Sequence, residues 1–93
     1  MPLKVRFVIR GYMLDTSVSF DRKLRLPDGC SMADAFVRVE KKAGVKLSRC
    51  LAESEVVAES ILLNGERVPL PRLSETTLSD GDEVSVLSPL AGG

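Results

Sequence analysis

The chain reads as an α+β domain in which a mixed sheet of four to five strands packs on one main helix. Three observations carry that reading. Two runs near the start alternate between apolar and charged residues over a plausible turn. One segment in the middle repeats its apolar residues at helical spacing between a capping serine and a glycine stop. Short apolar runs separated by Asn64-Gly65 and Asp80-Gly81-Asp82 fill the last third. A single amphipathic helix suffices to cover one face of such a sheet.

Leu3 to Arg10 places Leu3, Val5, Phe7 and Ile9 on one side and Lys4, Arg6 and Arg10 on the other, the pattern of a half-buried strand. Val18 to Leu26 repeats it, with Val18, Phe20, Leu24 and Leu26 opposed to Ser19, Asp21, Lys23 and Arg25. Leu14 to Ser17 forms the turn of this antiparallel hairpin. Pro27-Asp28-Gly29 ends the second strand. Ser31 followed by Asp34 is a variant of the capping box and opens a helix over 31–43. Met32, Phe36, Val39 and Ala43 make its apolar stripe. Lys41 and Lys42 suit the negative end of its dipole, and Gly44 is a natural stop.

Residues 45–60 leave two readings open: Leu47, Leu51, Val56 and Val57 fit a short helix or a covered loop. Ser60 to Leu63 then reads as a strand. Asn64-Gly65 favours a hairpin because both residues tolerate positive φ. A short return strand, Glu66 to Val68, is stopped by Pro69 and Pro71. Glu83 to Leu87 is the last strand and leads into the tail. With the hairpin first and the helix next, the natural closure sets the first and last strands side by side in the middle. That is the β-grasp, or ubiquitin-like, arrangement. We expect the domain to span 1–88 and a C-terminal tail to span 89–93.

Composition narrows the function. Of 93 residues, 44% are hydrophobic and 28% charged, which supports one small core. Thirteen basic and thirteen acidic residues cancel, so the overall charge points to neither nucleic acid nor an acidic tail. No apolar run is long enough to span a bilayer, and MPLKVRF lacks the shape of a signal peptide; a cytoplasmic location without membrane contact is the expectation. The absence of histidine excludes Ser-His-Asp and Cys-His pairs and His-ligated metals. Cys30 and Cys50 match neither a CxxC motif nor a zinc set, so no metal is expected. Cys30 precedes the helix start, where a thiol can become reactive, or it is an ordinary small residue of a turn; Cys50 is expected to pack. No acid-base or metal constellation argues for an enzyme.

The tail is the informative part. From Val84 to Gly93 no side chain is charged, so the chain end can enter a narrow site at little desolvation cost beyond its own carboxylate. Gly92 and Gly93 lack a Cβ and adapt to a tight channel. Asn64-Gly65, the Leu78-Ser79-Asp80-Gly81-Asp82-Glu83-Val84 stretch and the Pro89-Leu90-Ala91-Gly92-Gly93 ending together resemble the small ubiquitin-like sulfur carriers of the MoaD and ThiS type. The P-x-A-G-G ending favours the small subunit of molybdopterin synthase (MoaD) within that group. The first hairpin, through Tyr12, Met13 and Leu14, is longer than the family pattern, and residues 45–60 are unusual for it.

The resemblance implies a carrier rather than a catalyst. Gly93 would be adenylated, converted to a thiocarboxylate and used as sulfur donor in molybdopterin biosynthesis. No cofactor would be bound, ATP being consumed by the activating enzyme. The implied partners are a ubiquitin-activating-type adenylyltransferase (MoeB- or ThiF-like) and a molybdopterin synthase large subunit (MoaE-like). A protein modifier, a carrier for thiamine, cysteine or transfer-RNA thiolation, and a non-covalent ubiquitin-like module are the alternatives. A second signal lies in the sheet. Val8, Leu62 and Leu87 have the parity opposite to their apolar neighbours, so they are expected on the face away from the helix. They could form a docking patch there, or be isolated exposed apolar residues. The resemblance favours docking through this face, with Pro89, Leu90, Ala91 and Gly92 also touching the partner.

Overall fold

A computed structural model describes residues 2–13, 16–44, 46–53 and 55–87. Strand β1 is Leu3–Met13 and β2 is Thr16–Leu26. Helix α1 covers Met32–Ala43, followed by two short helices, α2 at Leu47–Glu53 and α3 at Glu55–Ala58. Strands β3 (Ile61–Leu63) and β4 (Glu66–Arg67) form the second hairpin. A 3-10 turn at Leu70–Arg72 precedes β5 at Glu83–Leu87. The five strands make one sheet in the order β2-β1-β5-β3-β4. β1 and β5 run parallel in its centre and the remaining pairs are antiparallel, as the closure of a β-grasp requires.

The alternation in the two long strands is that of a sheet buried on one face. Val5, Phe7 and Ile9 of β1, Val84 and Val86 of β5 and Ile61 of β3 are essentially inaccessible and meet Met32, Ala35, Phe36 and Val39 of α1. Both hairpin strands outrun the expected limits. β1 continues to Met13 and β2 begins at Thr16, in unbroken pairing with each other. Thr16 and Ser17 of the expected turn at 14–17 thus belong to β2, and residues 14 and 15 lie outside the described residues. Within this pairing Gly11 holds φ of 112°, a backbone conformation that favours glycine.

α1 is closed at both ends by local chemistry. Ser31 Oγ accepts a hydrogen bond from the Asp34 N–H at 3.2 Å, and Gly44 adopts the left-handed conformation with its N–H on the Glu40 carbonyl. Tertiary contacts satisfy the next two orphan donors. Met32 N–H reaches the Thr76 carbonyl at 2.9 Å, and Ala33 N–H reaches the Leu73 carbonyl at 3.2 Å. The segment before β5 is thereby tied to the start of the helix. Leu73 and Leu78 of that segment, together with Val68 and Ala35, are core residues that periodicity alone had not marked.

The described residues of the open segment 45–60 hold two short helices. Leu47, Cys50 and Leu51 are buried at i, i+3 and i+4 spacing in α2, and Val57 is buried in α3. One main helix thus carries two short companions and a 3-10 turn. Asn64 and Gly65 hold φ of 52° and 85°, the paired positive values of the tight turn that joins β3 to β4. β3 starts one residue later than expected, and the return strand ends before Val68, which packs into the core instead.

Candidate functional site: the last strand and the open face of the sheet

β5 carries the tail, so what fixes β5 fixes the point from which the tail leaves. Its first residue is held by a network of short polar contacts. Asp82 accepts from the Ser79 N–H at 2.8 Å and from Asn64 Nδ2 at 3.0 Å. Asn64 Oδ1 in turn accepts from the Glu83 N–H at 2.9 Å, while the Asn64 N–H donates to the Glu83 carbonyl at 2.8 Å. Across the turn, the Lys4 N–H donates to Asp80 Oδ1 at 2.8 Å, the Gly81 N–H to the Lys4 carbonyl, and the Arg6 N–H to the Asp82 carbonyl. Short side chains here mimic a further ladder of backbone bonds and lock β5 between β1 and β3. The register then runs to Arg10↔Leu87 on one side, and the Leu87 N–H meets the Ser60 carbonyl on the other.

On the face away from α1, the register sets Val8 opposite Ser85 and Ser85 opposite Leu62. Asp21 of β2 and Arg67 of β4 end this row. Leu87 lies two residues beyond Ser85 on the same face and is 44% exposed, whereas Val8 and Leu62 are half-buried. The three sequence-derived apolar residues therefore share one surface. Ser85, which the sequence reading did not single out, sits between two of them; only the cross-strand register could have revealed it.

Charges rim this patch. The Arg6 guanidinium grips Asp21 through two bonds, Nε to Oδ1 at 2.9 Å and Nη2 to Oδ2 at 2.7 Å. Arg6 also lies 3.7 Å from Glu83, and Arg10 lies 3.9 Å from Asp21. The hydrogen bond from Arg6 holds the Asp21 carboxyl below its ordinary range, against a smaller opposing effect of burial. Arg67 faces Glu59 at 3.6 Å on the other flank.

Pro89, Leu90, Ala91, Gly92 and Gly93 lie outside the described residues. The cysteines take no part in this surface. Cys30 and Cys50 are buried, and burial pushes both thiols up in pKa; Asp34 adds to the effect at Cys30, and Glu53 and Glu40 add to it at Cys50. Cys30 is thus the packed residue of the turn rather than an activated thiol, despite its place beside a helix start. Among the described residues, no cluster of three or more acidic or thiol groups could hold a metal ion.

The ThiS family model matches residues 16–93, well over half of the chain. The chain belongs to the ThiS family. Members of this family are ubiquitin-like sulfur carriers, small carrier proteins rather than enzymes, and they work with adenylyltransferase and synthase-type proteins. Among solved structures, the solution structure of the Haloferax volcanii HVO 2177 protein has a similar fold. The two share 21% identity over 99% of this chain and 88% of the other, with a TM-score of 0.60, a likeness of fold. No curated protein matches the chain. No helix among the described residues is long and apolar enough to cross a membrane.

Proposed function

We propose that this ThiS-family chain carries sulfur on the carboxylate of Gly93 for molybdopterin biosynthesis. The observation that carries the reading is the family match, which runs through a Gly92-Gly93 end preceded by Pro89-Leu90-Ala91. The free carboxylate is a poor electrophile. It attacks the α-phosphorus of ATP on an activating enzyme, forming an acyl adenylate and releasing pyrophosphate. Sulfur at the level of hydrosulfide then displaces AMP and leaves a thiocarboxylate. That sulfur passes to a pterin precursor on a larger catalytic subunit, and water supplies the oxygen that returns Gly93 to a carboxylate. Acid, base and cationic groups for these steps come from the partners, in keeping with a chain that holds no histidine.

Three features support the division of labour. Polar contacts pin the start of β5, so the proposed domain, 1–88, would act as the handle from which the tail extends. The tail, 89–93, has no charged side chain to desolvate in a partner's channel. Val8, Leu62 and Leu87, with Ser85 among them, offer a small apolar docking surface whose charged rim sets orientation. The adenylyltransferase and the synthase large subunit would meet this face in turn.

The deciding experiment is the intact mass of the protein from its native host, followed by fragmentation of the C-terminal peptide. Exchange of one oxygen for sulfur on Gly93 is the expected result. Because oxidation of Met1, Met13 or Met32 adds almost the same mass, the fragment must localise the change. An unmodified Gly93, after incubation with ATP, a sulfur source and the host's activating enzyme, would refute sulfur carriage. Gly93 found in isopeptide linkage to lysines would instead make the chain a protein modifier. Thiocarboxylated protein that fails to convert the pterin precursor with the large subunit would move it to another thiolation pathway.

A further inference from the structure

The zero net charge conceals a strong asymmetry. Residues 1–52 hold eleven of the thirteen cations and five of the thirteen anions; residues 53–93 hold the remaining two cations and eight anions. The basic half builds β1, β2 and α1, and the acidic half builds β3, β4 and the turns before β5. Because the sheet order is β2-β1-β5-β3-β4, the two halves border opposite edges of the sheet.

The basic border is also an open strand edge. β2 is 11 residues long and pairs only with β1, so every second residue turns its N–H and C=O outward with no strand beside them among the described residues. Arg22, Lys23 and Arg25 project from this edge strand and are exposed. Arg22 lies over the Phe20 ring, 5.9 Å from its centre. α1 adds to the same border. Its flank of Ala33, Phe36, Val37 and Glu40 lines a groove with α2 and the 3-10 turn. Beyond Val37, which borders both, Asp34, Arg38, Lys41 and Lys42 line an open hollow with Pro27–Cys30, the turn that directly follows β2. Among the described residues, none of these six cations has a carboxylate within ion-pair distance, whereas Arg6, Arg10, Arg49 and Arg67 do.

We infer that the β2 edge is a second interaction surface, which binds an extended acidic segment of a partner protein by strand addition. Outward backbone groups of β2 supply the ladder, and the cations of β2 and α1 select the sequence. A second copy of this chain is a poor occupant, since pairing two β2 edges sets the same cations against each other. The surface lies at the sheet border farthest from β3 and β4, with β1 between it and β5. Lys23 and Arg25 stand on the same sheet face as Val8, at its β2 border, and Arg22 on the α1 side with Phe20. The inference stands on the strand edge and its charges, independently of Gly93.

The test uses the full chain and a synthetic peptide that alternates valine with glutamate, followed by two-dimensional amide NMR. Shifts along β2 and the basic flank of α1, weaker binding as salt rises, and an affinity about tenfold lower for Arg22→Glu/Lys23→Glu/Arg25→Glu are the expected results. The same protein should bind a valine-lysine peptide poorly, and a glutamate peptide with prolines at alternate positions should lose binding. The neutral triple variant with glutamines at these positions gives the same test if charge reversal impairs folding. Absence of β2 shifts, equal binding of both charge patterns, or undiminished binding of the proline peptide would overturn the inference. So would tighter binding of a single-stranded oligonucleotide, which would make the border a general polyanion surface. None of these outcomes depends on whether Gly93 carries sulfur.

Discussion

Asp82 and Asp21 illustrate two different uses of one side chain. Asp82 is structural in the strict sense, since its carboxylate joins the Ser79 backbone to the Asn64 side chain at the mouth of β5. Asp82→Ala leaves both donors without their partner and should lower stability by about 1–3 kcal/mol, read from the urea unfolding midpoint at unchanged slope. Asp21 is held by the Arg6 fork at the surface. Its folded pKa lies below the unfolded value, so its contribution is complete above the ordinary carboxylate range and fades as pH falls through the folded value. Asp21→Asn should therefore be less stable than the parent at neutral pH, and the two unfolding midpoints should converge in acid. Added salt should narrow the neutral gap, because the pair is exposed. A gap that widened on acidification would contradict the sign of this pairing.

Among the elements, α1 shows local and tertiary control acting on the same turn. Ser31, Asp34 and Gly44 announce both ends in the sequence, and the structure places the helix within one residue of that expectation. Ser31→Ala should cost about 1 kcal/mol by removing the acceptor for the Asp34 N–H. Amide exchange should quicken at Asp34, while Met32 and Ala33, whose N–H groups bond to Thr76 and Leu73, stay protected. α2 lacks such signals. It has seven residues, no acidic residue in its first turn and no basic residue in its last. Its burial pattern depends on Cys50 lining up with Leu47 and Leu51, a spacing too brief to separate a helix from a covered loop by periodicity. The hairpin ends were hidden for a related reason. Once alternation gives way to Gly11 and the residues after it, pairing persists through backbone bonds that leave no hydropathy signature.

For the molecule as a whole, the core and the open face of the sheet should separate in mutagenesis. Leu62→Glu and Leu87→Glu lie on the face away from α1, and each should leave the amide NMR spectrum folded with stability changed by less than about 1 kcal/mol. Under the carrier proposal, both should slow adenylation of Gly93 by raising KM for the carrier more than they lower kcat. Phe7→Ala on the buried face would instead cost about 3–5 kcal/mol through the cavity it leaves. Adenylation unaffected by either surface change would detach the patch from the carrier cycle.

The sequence by itself determined the two long alternating strands, the capped helix α1, the Asn64-Gly65 turn and the uncharged Gly-Gly end. Each depends on neighbours a few residues apart, whose sterics and hydrogen bonds act before the chain folds. It also settled the β-grasp order, because a hairpin, a helix and a final strand leave few ways to close a sheet. Tertiary structure alone decided which residues meet across strands: Ser85 between Val8 and Leu62, the Arg6 fork on Asp21, and Asp82 bound to Asn64 from eighteen positions away. It likewise set the basic half of the chain along one open edge. These contacts follow from register between distant segments, which burial of one whole face enforces and no local pattern encodes.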